Sequence, residues 1–417
     1  MSLPPLRSMK LWIELLALAG VCWWLFGGSE VERWEAIEKR FGAHARVVWT
    51  TDPAHEATIL WSTDKPSAAP RLYLFDRPPS DPARRPLRRI VDVTSVRFPD
   101  PREEHIEAWQ HRVDLRELEP SRSYWFEVEH HSGRSRSFWF RTAPIDDRVI
   151  SFLSGGDCLD RRQPRREMNH RMAQVAHDDP QILCLAHAGD FVRNGESLRE
   201  WLEWLDDHEV LTGPDGQLLP LVVARGNHEA VGPLFDFVFG APGGKVRNYY
   251  RTPLGSTVVL LTLNTEYPAE GDQRQFLVDA LSGDQDREFR LAQYHRGLFP
   301  AVRQAFAGKS AWLPVFDRFH LDFGLESNGH TLKRTPPIRA GAIDPEGTVF
   351  LGEGGFGAKQ RSPRNEDERN RFWTQAPGGF VTRGDHVWKL RFEHGQATAH
   401  AILANGEIAD TYRRTAR

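Results

Sequence analysis

Five short segments constrain this chain more than any other feature: Gly156-Asp157, Gly189-Asp190, Gly226-Asn227-His228-Glu229, His295 and Asn328-Gly329-His330. Each lies where an apolar run gives way to a glycine or a turn residue, so carboxylate, amide and imidazole groups are delivered to strand ends. In an open α/β sheet the ends of several strands converge on one point, which is how a site is assembled from distant sequence. Taken singly, each segment has a plainer reading. A Gly-Asp at a strand end makes a turn or a helix cap, and a lone histidine such as His295 sits hydrogen-bonded in a core. Their joint occurrence, in this order and at these strand ends, favours a metal centre.

The donor set narrows the metal. Asp157, Asp190, Asn227, His295 and His330 supply two carboxylates, one amide oxygen and two imidazoles. Mixed oxygen and nitrogen sets suit Fe, Zn or Mn, and two imidazoles argue against a calcium cage. Two such ions close together need a shared anionic ligand to offset their repulsion, and Asp190 is placed to bridge them.

At 417 residues the chain is long enough for two domains. Its formal net charge of -3 comes with Lys and Arg scattered along the sequence, so no nucleic-acid partner is expected. Residues 11–28, LWIELLALAGVCWWLFGG, form the only long apolar stretch, with Arg7 and Lys10 before it and Glu30 and Glu32 after it. As a helix it would reach about 27 Å, close to the hydrocarbon thickness of a bilayer. It reads as an export signal or, lacking a small-x-small cleavage site, a retained transmembrane anchor, with a buried amphipathic helix as the alternative. Residues 1–10 would then be cytoplasmic and the remainder exported, either anchored to the membrane or secreted after cleavage. Of the three cysteines, Cys158 and Cys184 are read as free structural thiols.

Between residues 44 and 145 short alternating runs, RVVWTT, ATILWST, RLYLF, YWFEVEHH and SFWFRT, are separated by Pro, Asp, Ser and Gly, the pattern of an antiparallel β-sandwich. The polar stretch Pro99 to Glu104 is a loop within it. Over 147–417 the texture becomes apolar strands alternating with helical periodicity, an α/β domain. Strands are predicted at VISFL, ILCLAHA, PLVVA, VVLLTL, FRLAQYH and HLDFGL, and helices at REMNHRMAQVAH, SLREWLEWLDDH, DQRQFLVDAL and PAVRQAFA. The segment Arg361 to Arg371 reads as a solvated loop, and the β-rich tail closes the domain.

Asp157, Gly189-Asp190, the GNHE of 226–229, His295 and His330 run in the order of the calcineurin-like metallophosphoesterases, and the WTT sandwich ending in FRTAP resembles the purple acid phosphatases in particular. The resemblance spans about Arg46 to the C-terminus. It implies a fibronectin-type-III-like N-terminal domain, a four-layer α/β/β/α catalytic domain, and hydrolysis of phosphate esters at a dinuclear centre of two divalent or trivalent transition-metal ions. The chain departs from the family in three places. The closing motif is SNGHTLKRT, and anchoring on Arg334-Thr335 makes His330 a ligand and puts Asn328 where the family has a histidine. The other register pairs Gly329-His330 with the family's Gly-His and leaves Leu332, which cannot ligate. The family's tyrosinate position falls on Arg193, which cannot ligate but can meet a substrate phosphate. Leu159 stands where other metallophosphoesterases carry a histidine, with Asp160 a substitute ligand or a cap. The expected metal set is therefore Asp157, Asp190, Asn227, His295, Asn328 and His330, with His228 and Arg193 acting on the substrate. A metal-activated hydroxide would attack phosphorus while His228 protonates the leaving group. In the structural alternative His228 merely bonds to Glu229. The rival function is a degenerate member that binds phosphorylated or surface ligands without turnover.

Overall fold

The computed structural model describes residues 44–417 apart from 91, 132, 147–148, 231 and 363–370. The apolar segment 11–28 lies outside the described residues. Among the described residues no helix is long and apolar enough to cross a membrane.

Two sheets stack face to face in the second half of the chain, and alternation along each strand decides which layer a side chain joins. In the strand Ile150–Gly155, Phe152 points into the core between the sheets while Leu153 points to the helices outside. Val222 and Leu221 divide in the same way, as do Leu260 and Val259 in the opposite sheet. Helices Arg162–Asp178 and Leu198–His208 cover the outer face of the first sheet. Helices Asp272–Gly283 and Lys309–Arg318 cover that of the second. The result is the four-layer α/β/β/α sandwich. Parallel neighbours Ile150–Gly155, Ile182–His187 and Leu221–Val223 run through the first sheet. Val258–Thr262, Phe289–Arg296, Phe323–Ser327 and Val349–Gly352 run through the second. The strands of the tail, His386–Glu393, Gln396–Leu403 and Ile408–Thr415, extend the first sheet beyond Ile150–Gly155.

The N-terminal residues form an antiparallel sandwich, with Trp49, Trp61, Phe126, Phe138 and Phe140 buried between its sheets. One of those sheets is continuous with the catalytic half. Arg46–Val48 pairs in parallel with Leu221–Val223, so ten described strands form a single sheet across both units. The junction is reinforced by polar contacts. The buried Arg46 guanidinium donates to the Val238 carbonyl at 2.9 Å, and Glu104 accepts from Ser197 Oγ at 2.8 Å and from the Arg199 N–H at 2.9 Å. Glu104 thus adds negative charge at the N-terminus of helix Leu198–His208, where the helix dipole favours it. The loop Pro99 to Glu104 does more than connect strands; it docks the sandwich on the catalytic half. Cys158 and Cys184 are both buried and free.

The predicted helix PAVRQAFA does not form. Residues 300–307 are bends and turns, and the helix comes later, at Lys309–Arg318. Tertiary and local hydrogen bonds hold residues 298–306 in another conformation. Leu298 donates to Glu326 at 2.7 Å, Ala301 to Glu353 at 3.1 Å, and Phe306 to the Gly297 carbonyl at 2.8 Å. The helix that does form contains Pro314, a residue that argues against a helix interior, and is held by buried Ala311, Trp312, Val315 and Phe316.

Inside the sandwich His111 is buried, stacked on Trp61 at a 5.1 Å centroid distance and bonded to Thr63 Oγ1 at 2.9 Å and Ser95 Oγ at 2.7 Å. Burial, and then the nearby His130 and His131, lower its pKa to about 4. The folded state therefore holds it neutral. Its contribution is complete above the unfolded value of about 6.5 and is lost as pH falls towards the folded value. Relative to His111→Gln, the parent protein should lose on the order of 3 kcal/mol of stability between pH 7 and pH 4. Urea unfolding of both proteins across that range measures this, and a pH-independent difference between them would contradict it.

Candidate metal centre

All the sequence-selected positions lie at the same edge of the two sheets, just beyond strand ends. Asp157 follows Ile150–Gly155, Asp190 follows Ile182–His187, and Asn227 opens the turn Asn227–Glu229 after Leu221–Val223. From the opposite sheet His295 sits near the end of Phe289–Arg296, and Asn328 and His330 follow Phe323–Ser327. Asp157, Asp190, Asn328 and His330 all have φ between 57° and 69°, a left-handed conformation uncommon for non-glycine residues. Such strain persists where the surrounding structure enforces it, and here it turns each side chain back over the sheet edge.

Asp157, Asp190 and His330 converge, with one ligand-capable atom from each lying within 4.8 Å of the others. His330 Nε2 is 3.3 Å from Asp157 Oδ1. A second group shares Asp190: His295 Nε2 lies 3.2 Å from Asp190 Oδ1 and 3.2 Å from Asn227 Oδ1. Both imidazoles are oriented from behind by backbone carbonyls. His295 Nδ1 donates to Ala188 at 2.8 Å and His330 Nδ1 to Lys359 at 3.2 Å. With Nδ1 donating to a carbonyl, each Nε2 faces a carboxylate oxygen, an arrangement that either a proton on Nε2 or a cation between the two groups would satisfy. Asp157 Oδ1 is buried with no hydrogen-bond partner. Burial pushes the His295 imidazole down, but Asp190, helped by Asp157, overrides this and raises it to about 10. The geometry therefore demands positive charge, and residues of these types fit transition-metal ions.

Asn328 contributes through its backbone, donating its N–H to Asp157 Oδ2 at 2.8 Å, and its side-chain amide has no hydrogen-bond partner among the described residues. The exposed Arg193 guanidinium pairs with Asp160, whose other oxygen accepts from the Lys359 N–H at 3.2 Å. Asp160 is thus engaged away from the converging carboxylates. His228 is not bonded to Glu229. Its Nδ1 donates to the Arg193 carbonyl at 2.5 Å, its N–H donates to Asp190 Oδ1 at 3.1 Å, and its Nε2 lies 3.9 Å from Asp190 Oδ2.

The sequence reading missed the supports of this centre. Glu229 is buried beneath it, accepting N–H donors from Asp190 at 2.9 Å, Phe191 at 2.9 Å, Val192 at 3.2 Å and Gly226 at 3.1 Å. It holds the Asp190 turn to the GNHE turn, and burial and the adjacent Asp190 charge push its carboxyl up. Opposite it, the segment 353–361 wraps around Asp157 and His330. Gly355 and Phe356 donate to the Gly156 carbonyl, Ala358 to that of Asp157, and Arg361 to that of His330. A Cβ on Gly354, which has φ +79°, would lie 1.8 Å from Asp157 Oδ2. The glycine-rich GEGGFG is the sequence signal that could have revealed this close approach.

Residues 43–142 match the family model "Purple acid Phosphatase, N-terminal domain". The purple acid phosphatase PPD1 from yellow lupin (Lupinus luteus) seeds superposes with a TM-score of 0.72 at 17% identity, covering 89% of this chain and 74% of that one. The fold is that of a purple acid phosphatase. PhoD superposes on this purple-acid-phosphatase-like chain with a TM-score of 0.62 at 12% identity, covering 89% and 88% of the two chains. GAP50, the anchor in the inner membrane complex of Plasmodium, gives a TM-score of 0.51 at 10% identity, covering 65% of this chain and 90% of that one. No curated protein sequence matches the chain.

Gly354→Ala should abolish or strongly weaken metal binding while leaving far-ultraviolet circular dichroism unchanged, because the added methyl displaces Asp157. Metal analysis of the purified variant checks this, and parent-like metal content would contradict it.

Proposed function

We propose that the chain hydrolyses phosphate esters at a centre of two transition-metal ions, with monoesters favoured over diesters. The observation that carries this reading is the pair of buried His–Asp contacts, His330 with Asp157 and His295 with Asp190, each with its imidazole proton held on a backbone carbonyl. Asp157, Asp190 and His330 would hold one ion, and Asp190, Asn227 and His295 the other, with Asn328 close to the shared edge. When bound, the ions supply Lewis acidity that lowers the pKa of a water and offsets charge on the phosphoryl oxygens.

The chain's own residues would do the rest. Glu229 and the segment 353–361 fix the carboxylates so that little reorganisation is needed on binding. Because His228 Nδ1 is committed to the Arg193 carbonyl, His228 can donate a proton to a leaving group only from Nε2 and only as imidazolium. That nitrogen lies 3.9 Å from Asp190 Oδ2. Removal of the apolar segment 11–28 from the membrane question leaves this chemistry intact; if that segment inserts, hydrolysis takes place outside the cytoplasm.

The test is hydrolysis of an aryl phosphate by protein stripped of metal and then reconstituted with Fe, Zn or Mn. Turnover that returns only with metal supports the reading. The absence of turnover with metal bound favours the rival, a binding protein, to which the arginine at position 193 and the asparagine at position 328 would point. In the active protein His228→Ala should lower kcat by about 10²- to 10⁴-fold. Metal content should be retained; loss of metal would make His228 structural.

A further inference from the structure

Alternation carries Leu325 and Leu332 into the core between the sheets and turns their neighbours Glu326 and Lys333 to the opposite face, where Tyr294 packs. There the buried Lys333 ammonium meets one acceptor for each of its three N–H groups. It donates to the Phe299 carbonyl at 2.5 Å and to Glu326 Oε2 at 2.5 Å, and it pairs with Glu353 Oε1 at 3.1 Å. Both carboxylates are themselves buried, and both reach further. Glu326 Oε1 accepts from the Tyr294 hydroxyl at 2.8 Å and the Leu298 N–H at 2.7 Å, so it grips the chain on either side of His295. Glu353 accepts from the Ala301 N–H at 3.1 Å, and a Cβ on Gly329 would collide with its carboxylate. Its backbone bonds to the same turn: the His330 N–H donates to the Glu353 carbonyl at 2.7 Å, and the Glu353 N–H to that of Thr331 at 2.6 Å.

A buried charged cluster of this kind is a poor source of net stability, because taking the charges out of water offsets most of their attraction. Fully satisfied, it is a good source of fixed geometry, since each group tolerates only a narrow set of partner positions. The place of this cluster in the chain shows what it fixes. Glu326 precedes Asn328 and Lys333 follows His330, so their bond closes the base of the turn that presents both. Through Glu326 that base is tied to the strand bearing His295, and through Glu353 to the segment that wraps around Asp157.

We propose that Lys333 is a positioning residue for the metal centre: with Glu326 and Glu353 it fixes the distance between the His330 ligand group and the His295 ligand group. This rests on the two-ion reading above. The His295 side is also held independently, by the Ala188 carbonyl at 2.8 Å and by the bonds from Tyr294 and Leu298 to residue 326. The His330 turn relies on the ammonium to join it to those supports. Loss of Lys333 is therefore felt first by the ion between Asp157, Asp190 and His330, and supports behind a metal ligand commonly carry about 10- to 100-fold in metal affinity.

Calorimetric titration of the metal-free full chain with zinc tests this without needing turnover. Lys333→Met alone strands two buried carboxylates and is expected to unfold the chain. The informative variant combines Lys333→Met with Glu326→Gln and Glu353→Gln, which removes all three charges at nearly constant volume and leaves amide oxygens to accept from Tyr294, Leu298 and Ala301. The parent should take two ions. The triple variant, with parent-like far-ultraviolet circular dichroism, should take one ion at parent affinity and the other at least about tenfold more weakly. Adding His330→Ala should leave the tighter ion in place, and adding His295→Ala should remove it. Parent-like binding of both ions by the triple variant, whatever the change in its unfolding midpoint, would reduce the cluster to a structural ion pair and overturn the proposal, as would equal weakening of both. Failure of the two-ion reading shows separately, as a parent chain that takes fewer than two ions, and removes the proposal with it.

Discussion

The burial of Asp157 and Asp190 within reach of one another is the constraint on which the rest of this structure depends. Two carboxylates out of water and close together are costly unless positive charge lies between or beside them, and removing the partner of such a charge costs several kcal/mol. Asp157 keeps one oxygen buried and unpartnered, and His295 is drawn to a protonated state that burial alone would oppose. The left-handed backbone at four of the positions, the carbonyl-oriented imidazoles and the glycine clasp at Gly354 all hold this arrangement in place.

The position of the centre follows from the layering. Adjacent parallel strands in each sheet end at the same edge, and two sheets packed face to face bring both edges together, so that residues separated by more than a hundred positions share one site. Glu229 below and residues 353–361 above then convert a loose convergence into a fixed one. The sandwich is part of this frame. Arg46–Val48 continues the sheet that carries Asp157, Asp190 and Asn227, and Glu104 caps a helix on that sheet's outer face.

The convergence of the candidate ligands was legible in the sequence because carboxylate, amide and imidazole groups recur where apolar runs end. The layers were legible because alternation is local. The supports were not, since their roles exist only once distant segments meet. Glu229 reads as the end of the Gly226-Asn227-His228-Glu229 motif or as a partner of His228, yet it receives four backbone N–H groups from two turns. Arg361 lies in a charged stretch that looks solvated, and only the carbonyls of Asn328 and Gly329 reveal its place. The helix expected at PAVRQAFA failed for the same reason. Its spacing was helical, but the Phe306 N–H, which would bond within a helix, donates to the Gly297 carbonyl, and Ala301 is held by Glu353 far along the chain.

Metal stoichiometry tests the central claim most directly. Protein purified without chelators, or stripped and reloaded, should bind two transition-metal ions per chain, and Asp190→Asn should lose both, because a single carboxylate joins the His330–Asp157 group to the His295–Asn227 group. Saturation at one ion, or two ions retained in Asp190→Asn, would contradict a shared dinuclear centre.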